Sequence, residues 1–229
     1  MKWKKYGITL SRITEGDIEL VRQWRNHPDI MKTMQFREYI TPEMQKKWFD
    51  SINNLHNHYY IIQYKNEKIG LINNKNIDWE KQTSEAGIFI WNDSFNFAAL
   101  LASLLLCEIG FYVVPGQEKG GVSFINVLRD NKFAIDYNKL LGYEIYHDDP
   151  AENTVRYILT RENFEKHTQK LREAALKLSG GDAAIYLIIE KHDYDYGFAQ
   201  VIESIEKDYC FKYDIRIENG EKIYSLYAV

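Results

Sequence analysis

Residues 85–111 read EAGIFIWNDSFNFAALLASLLLCEIGF, and this stretch decides the fold. Its first seven residues alternate as they do in a strand, and turn-forming polar residues follow at 92–94. The segment 98–111 carries only Ser103 and Glu108 as polar residues. It is too long for a typical strand and too short for a membrane span, so it predicts a mostly buried helix.

A strand, a tight turn and a buried helix in this order create a place where an anion can bind. The first turn of a helix has backbone N–H groups without partners and carries the positive end of the helix dipole. Both features favour a phosphate beyond the end of the strand. The alternative is that this stretch is an ordinary β–α unit of an α/β core with no ligand. The stretch alone does not distinguish the two interpretations.

The chain has 229 residues, of which 45% are hydrophobic and 27% are charged, with a net charge of −4. This size predicts one or two domains with a substantial core. The negative net charge argues against general binding to nucleic acid or to an anionic membrane. We therefore expect neither as a partner.

The two cysteines, Cys107 and Cys210, lie in different predicted elements and form no metal-binding or disulfide pattern. The first residues lack an apolar signal segment, so a reducing cytoplasm is the expected compartment. The His192-Asp193-Tyr194-Asp195 cluster has no second ligand group at a suitable spacing. We interpret it as a polar turn and expect no metal.

Residues 1–165 predict an α/β domain with the element order β α α β β β α β α β β. This order is typical of a mixed sheet with helices packed on it, and not of a doubly wound fold. Thr41 and Pro42 predict the start of the second helix. Gly142 predicts the C-terminal stop of the helix before it.

The character of the chain changes after residue 165. Residues 166–181 belong to a charged amphipathic helix that links the domain to a small β-α-β-β unit, residues 182–229. In that unit we expect a helix over 198–207 and a hairpin at Asn219-Gly220. The unit is too small to fold comfortably alone, so it should pack on the first domain or on a second subunit. A homodimer through this unit is one expectation.

Four stretches of residues 8–165 resemble the GNAT superfamily of N-acetyltransferases. They are LVRQWRNHPDI, ITPEMQKKWFD, EAGIFIW and DNKFAIDYNKLLGYE. Within the superfamily, the chain is most similar to the ribosomal-protein alanine and amino-sugar-nucleotide acetyltransferases. The resemblance implies a mixed, mostly antiparallel sheet flanked by helices. The C-terminal unit is an addition to this fold.

The resemblance implies acetyl-CoA as the acetyl donor and the primary amine of a small molecule as the acceptor. In the family the pantetheine arm pairs with the strand that corresponds to Phe89, Ile90 and Trp91. The pyrophosphate lies on the turn that opens the next helix, and Asn131 matches a cofactor-contacting residue. The turn positions are Ser94, Asn96, Phe97, Ala98 and Ala99, in which Ser94 replaces a Gln or Arg and Phe97 replaces a Gly. The Phe97 ring is therefore expected to crowd the phosphates.

The resemblance also gives candidate catalytic residues. Glu85 matches a carboxylate that acts as a base directly or through water, with a solvent-exposed strand-end acid as the alternative. The tyrosine that protonates the leaving thiolate in the family corresponds to Asn138, and Tyr137 lies one position earlier. Tyr137 replaces it if the helix is rotated, and otherwise is a core or surface residue. Asn131 can cap its helix in either case.

Trp24, Arg25 and Asn26 match the acceptor side of this branch. An arginine at this place can bind a nucleotide phosphate or an acidic peptide, or can pair with a nearby acid of the protein. The resemblance therefore implies an N-acetyltransferase acting on a nucleotide-linked amino sugar. Acetylation of protein N-termini is one alternative, and a degenerate GNAT fold retained as a binding or assembly module is another.

Overall fold

A computed structural model describes residues 1–113, 121–195 and 211–228. Its strands are β1 (Lys2–Lys5), β2 (Ile8–Arg12), β3 (His58–Tyr64), β4 (Glu67–Asp78), β5 (Thr83–Ile90), β6 (Val122–Leu128), β7 (Glu144–His147), β8 (Thr154–Thr160), β9 (Ile185–Ile189), β10 (Phe211–Glu218) and β11 (Glu221–Ala228). Its helices are α1 (Ile18–Arg25), α2 (Pro28–Met31), α3 (Pro42–Ile52), α4 (Asn96–Glu108), α5 (Lys132–Leu140), α6 (Arg161–Leu178) and α7 (Lys191–Asp195).

The described strands form a single sheet in the order β10-β11-β9-β1-β2-β3-β4-β5-β6-β8-β7. Every neighbouring pair is antiparallel except β5 and β6, which run parallel. One buried cluster contains the apolar residues of α4, and a second contains those of α1 and α3. Consecutive residues of β3, Tyr60 and Ile61, belong to different clusters, as expected for a sheet covered on both faces. The predicted mixed α/β fold is confirmed.

The predicted buried helix is α4. Ala98, Ala102, Leu104 and Leu105 are completely buried in it. By length and composition the span Asn96–Val113 could cross a membrane, but 56% of it is buried within the protein. This degree of burial is typical of a helix in the core of a globular protein.

Local sequence signals place the ends of two helices as expected. The Thr41 side chain accepts a hydrogen bond from the Met44 amide at the start of α3. Gly142 follows the end of α5 with a φ of +96°, and a Cβ there would lie 2.7 Å from the Asn163 carbonyl oxygen. Only glycine satisfies both the left-handed conformation and this close approach.

The C-terminal strands extend the sheet of the first domain, because β9 pairs antiparallel with β1. The hairpin between β10 and β11 turns at Asn219 and Gly220. Their φ angles of 51° and 81° are both positive, as a two-residue hairpin turn that matches the strand twist requires. The helix expected over 198–207 lies outside the described residues. Strand β1 and the short helices α2 and α7 were not expected from the sequence. The division of the chain at residues 165 and 181 stays a prediction.

Candidate active site

The parallel strands β5 and β6 part from each other after a short contact. Their pairing comprises Thr83 with Val122, Ser84 with Ser123, and Glu85 with Phe124. Beyond this point β5 continues to Ile90 and remains paired with β4 alone. Strand β6 pairs with β8 along its whole length, from Val122 to Leu128. One edge of β5 therefore borders a gap in the sheet.

The backbone of alternate β5 residues faces this gap. The Trp91 amide donates to the Ile69 carbonyl at 2.9 Å, so the backbone groups of Trp91 and Phe89 point to β4. Because successive residues of a strand point their N–H and C=O groups to opposite sides, those of Ile88 and Ile90 point to the gap. Of the three residues predicted to pair with pantetheine, Ile90 has the suitable backbone direction.

The start of α4 lies just beyond the end of β5. The Asn92 side chain accepts a hydrogen bond from the Ser94 amide at 3.2 Å and shapes the turn. The N-cap residue, Phe95, provides no side-chain cap, and the first turn contains no acidic residue. Exposed Asn96, buried Ala98 and half-buried Ala99 follow it. The first-turn N–H groups therefore have no side-chain acceptor among the described residues and can receive an anion.

The Phe97 ring turns towards β3. It is 52% exposed and lies edge-on against the Tyr64 ring, with the centroids 5.2 Å apart, and near Phe95 at 6.4 Å. In the sheet order β3 lies on the side of β5 opposite to β6. The ring is therefore held away from the β5–β6 gap, and the expected crowding is reduced to the backbone and Cβ of Phe97.

Helix α5 brings Tyr137 to α4. Its hydroxyl lies 2.9 Å from the Ala99 carbonyl oxygen and 2.7 Å from Ser103 Oγ. Burial raises the pKa of Tyr137 well above its ordinary value, so the hydroxyl keeps its proton. Asn138 instead donates to the Ala134 carbonyl at 2.7 Å, within its own helix. The Asn131 side chain accepts from the Ala134 amide at 3.0 Å and caps α5.

Glu85 lies where β5 and β6 part, because it belongs to the last β5–β6 pair. Its carboxylate is 21% exposed and forms an ion pair with Lys75 of β4 at 2.7 Å. Tyr59 of β3 is close enough for the Glu85 charge to raise its pKa, after the larger effect of burial. Sequence reasoning missed both Lys75 and Tyr59, because their proximity to Glu85 arises only from strand pairing.

Trp24 and Asn26 are engaged in contacts within the protein. The Trp24 ring stacks on Trp91, with the centroids 6.1 Å apart and an angle of 6° between the planes. Asn26 donates to the Ile40 carbonyl and accepts from the Ile40 amide, both at 2.8 Å. These two bonds hold the segment before α3 against the end of α1.

Arg25 differs from its two neighbours. Its guanidinium lies 5.9 Å from the centre of the Phe89 ring, on the α1 side of β5. Among the described residues it has no acidic partner and no hydrogen bond. Burial lowers its pKa, whereas the nearby Tyr59 raises it slightly. A half-buried cation without a counter-ion is costly, so the arrangement favours an anionic ligand.

Residues predicted for the two substrates meet at one surface hollow. The hollow has a volume of about 560 Å³ and lies between α1 and the turn before α4. Its lining includes Trp24 from the predicted acceptor side and Ser94 from the predicted pyrophosphate turn. The Lys68 ammonium at its edge pairs with Asp17 at 2.6 Å. The fold thus places the two predicted sets of residues side by side.

A parallel strand pair that parts and is connected through a buried helix agrees with the GNAT fold that the sequence resembles. A family model described as an acetyltransferase (GNAT) domain matches residues 8–123. The chain belongs to this family. A search of curated protein sequences found no match.

Solved structures share the fold. FdhC, a nucleotide-linked sugar GNAT, is 18% identical, with 75% of this chain and 97% of FdhC covered and a TM-score of 0.61. RimL, a ribosomal alpha-N-protein acetyltransferase in complex with coenzyme A, is 16% identical, with 68% and 95% covered and a TM-score of 0.57. The spermidine N-acetyltransferase from Vibrio cholerae, in complex with CoA and spermine, is 13% identical, with 70% and 99% covered and a TM-score of 0.57.

These findings agree with acetyl-CoA as the cosubstrate. The residues present fit such a molecule. Backbone groups of β5 face an open gap, and the first turn of α4 offers N–H groups and contains no acidic residue. The Phe97 ring, the feature that argued against binding, packs on Tyr64.

Proposed function

We propose that this chain is an acetyl-CoA-dependent N-acetyltransferase that acts on the primary amine of a nucleotide-linked amino sugar. Arg25 carries the acceptor part of this proposal. Its half-buried guanidinium faces Phe89 without an acidic partner among the described residues. A diphosphate provides two negative charges and several oxygen atoms for such a fork of N–H donors.

The positions of the two candidate groups support an acceptor with separate amine and anionic ends. Glu85 lies where β5 and β6 part, and the Arg25 guanidinium lies beside Phe89 of the same strand. An acceptor that meets both groups carries its amine at one end and its anion at the other. A sugar joined to a diphosphate has this layout. A polyamine lacks the anion and would place positive charge beside Arg25.

The residues at the parting of β5 and β6 have separate roles in this proposal. Glu85 accepts a proton from the acceptor ammonium, directly or through one water molecule, so that the amine becomes nucleophilic. Lys75 holds the Glu85 carboxylate in place through their ion pair. Acetyl-CoA supplies the acetyl thioester. Tyr137, whose raised pKa keeps it protonated, is the one hydroxyl residue of α5, and it donates to the leaving sulfur in place of the family tyrosine by exchanging its hydrogen bond to the Ala99 carbonyl.

A protein N-terminus is the second candidate acceptor. The RimL likeness and the same Arg25 support it, since an acidic peptide also offers a carboxylate at a distance from its amine. The third possibility is a module that binds without catalysis. The replacement of the family tyrosine by Asn138 supports it, because Asn138 is bonded within its own helix.

A thiol-release assay with acetyl-CoA distinguishes these functions. We expect turnover with a nucleotide-linked amino sugar, and at least about tenfold lower kcat/KM with an acidic N-terminal peptide or spermidine. Arg25→Met should lower kcat/KM for the sugar nucleotide by about tenfold or more through KM, as loss of a charge-assisted contact predicts. Lys47→Met, which removes an exposed cation of the neighbouring α3, is the matched control and should change nothing.

The other outcomes are equally informative. Faster turnover of the peptide would replace the sugar nucleotide by a protein N-terminus as the acceptor. Binding of acetyl-CoA with no turnover of any amine would favour the module. An Arg25→Met variant with unchanged KM for the sugar nucleotide would contradict the role of Arg25.

A further inference from the structure

Strand β10 forms an edge of the sheet that invites another strand. It has eight residues and pairs with β11 in a continuous register without a bulge, and the described part of the chain places no strand on its other side. It contains no proline. Natural proteins usually protect such edges with proline, bulges, very short strands or charged side chains. Of these devices, β10 carries only charged side chains, and they lie on one of its two faces.

The two faces of β10 differ in character. Tyr213 and Ile215 lie opposite the buried Leu226 and Tyr224 of β11, so this face continues the core. Ile215 is nevertheless 43% exposed and Ile217 is 77% exposed. The other face carries Asp214, Arg216 and Glu218, with Arg216 and Glu218 3.3 Å apart. The apolar row that continues from the core therefore ends at β10 with Ile215 and Ile217 still exposed to solvent.

We propose that a second copy of this chain covers the edge through antiparallel pairing of β10 with β10. With Ile215 opposite its own copy, Asp214 lies opposite Arg216 and Tyr213 lies opposite Ile217. Each of these pairs occurs twice because the arrangement is two-fold symmetric. Opposite charges and apolar residues then meet in cross-strand pairs, which is the favourable arrangement. The two apolar rows join into one.

Neighbouring registers are excluded by charge. A pairing centred on Asp214 places this carboxylate opposite its own copy. A pairing centred on Arg216 places that guanidinium opposite its own copy and Asp214 opposite Glu218. Like charges directly opposite each other destabilise a strand pair. A shift of the pairing by one residue would place apolar residues of one strand opposite charged residues of the other. A pairing centred on Tyr213 or Ile217 would leave fewer residues of the two strands paired.

Charge reversal at the two complementary positions tests this register. We expect the full-length protein to sediment as a dimer at micromolar concentration. Asp214→Arg and Arg216→Asp should each raise the dimer dissociation constant by about tenfold or more, since each places like charges opposite each other twice. The double variant Asp214→Arg/Arg216→Asp restores opposite charges and should dimerise as the parent does. Glu173→Arg, an exposed reversal on α6, is the matched control.

Circular dichroism and acetyl-CoA binding should be unchanged in all these variants, because β10 lies far from β5 in the sheet order. A monomeric parent at 100 μM would overturn the proposal. So would a dimer that both single reversals leave intact, because that dimer uses another surface. A single reversal that weakens the dimer without rescue by the double variant would overturn the register centred on Ile215.

Discussion

The two borders of β5 show how the same strand serves both stability and function. Its β4 border is paired from Asp78 with Thr83 to Gly70 with Ile90. Its β6 border is paired at three positions only. Strand β4 directly precedes β5, and the hairpin between them keeps the two strands paired. Strand β6 arrives after the crossover through α4, and parallel pairing is not enforced by a turn.

The difference between the two borders shows where the protein tolerates backbone groups without a partner strand. Leu71 and Ile72 on the β4 side are 4% and 2% exposed, so the closed border lies in the dry core. Unpaired backbone groups on the other side are costly unless water or a ligand binds them. The open border is therefore the natural place for a ligand that can pair like a strand.

The largest expected effect concerns Glu85, at the point where the open border begins. Glu85→Gln keeps the shape of the side chain and removes the proton acceptor. We expect kcat to fall by about 10²–10⁴-fold, as is typical of the loss of a general base, with little change in the binding of acetyl-CoA. The measurement is the steady-state thiol-release rate.

Glu80→Gln, an exposed acid in the turn between β4 and β5, is the control for Glu85. Its kcat should equal that of the parent. A Glu85→Gln variant with a kcat within about threefold of the parent would show that Glu85 is only an ion-pair partner of Lys75.

Proline substitution separates the two borders directly. Ile90→Pro removes an N–H that faces the gap, whereas Phe89→Pro removes one that faces β4. We expect Ile90→Pro to stay folded and to bind acetyl-CoA about tenfold or more weakly by calorimetry. Phe89→Pro should unfold at a much lower temperature, because it breaks the closed border. Equal destabilisation by both variants would contradict the assignment of backbone directions.

The closed part of the sheet should respond to acid through His58. Burial, with a smaller effect of Arg12, lowers the pKa of His58 from 6.5 to about 3. The unfolded state therefore takes up a proton below pH 6.5 that the folded state takes up only near pH 3. The resulting stability is present above pH 6.5 and is lost on acidification, with a slope of at most about 1.4 kcal/mol per pH unit.

Denaturant unfolding between pH 6.5 and 4 measures this slope. His58→Gln should flatten it, whereas His147→Gln, a change at an exposed histidine of β7, should leave it as in the parent. Parallel curves for the parent and His58→Gln would contradict the neutral, buried state of His58.

The smallest expected effect is a gain in stability at the open border. Arg25→Met keeps much of the apolar stem and removes a half-buried charge that lacks a described counter-ion. The free energy of unfolding should rise by about 0.5–1 kcal/mol even though acceptor use falls. Denaturant titration checks this trade-off, and Lys47→Met should leave the stability unchanged. A decrease for Arg25→Met would indicate that the arginine supports the fold.

Much of the fold could be predicted from local sequence. The apolar run gave α4, Thr41 gave the start of α3, and Gly142 and Asn219-Gly220 gave a helix stop and a hairpin. Strand β1 was missed because lysines surround its one buried aromatic residue, Trp3, which leaves little alternation to read. Its place is fixed by pairing with the distant β9.

For the candidate site, individual residues could be predicted from the sequence, but contacts between residues distant in the chain could not. Glu85 and Arg25 were found through the resemblance to the family, and their roles stay predictions. Lys75 and Tyr59 reach Glu85 through strand pairing, which one sequence does not reveal. The direction of the Phe97 ring likewise depends on Tyr64, 33 positions away in the chain.

Hydrogen exchange with and without saturating acetyl-CoA tests the central claim most directly. We predict slower exchange in peptides that cover β5 and the first turn of α4, because the ligand would bind the backbone groups at the open border. The amides that β5 shares with β4 should exchange as in the unliganded protein. Saturation without protection of β5 or of the start of α4 would contradict the account.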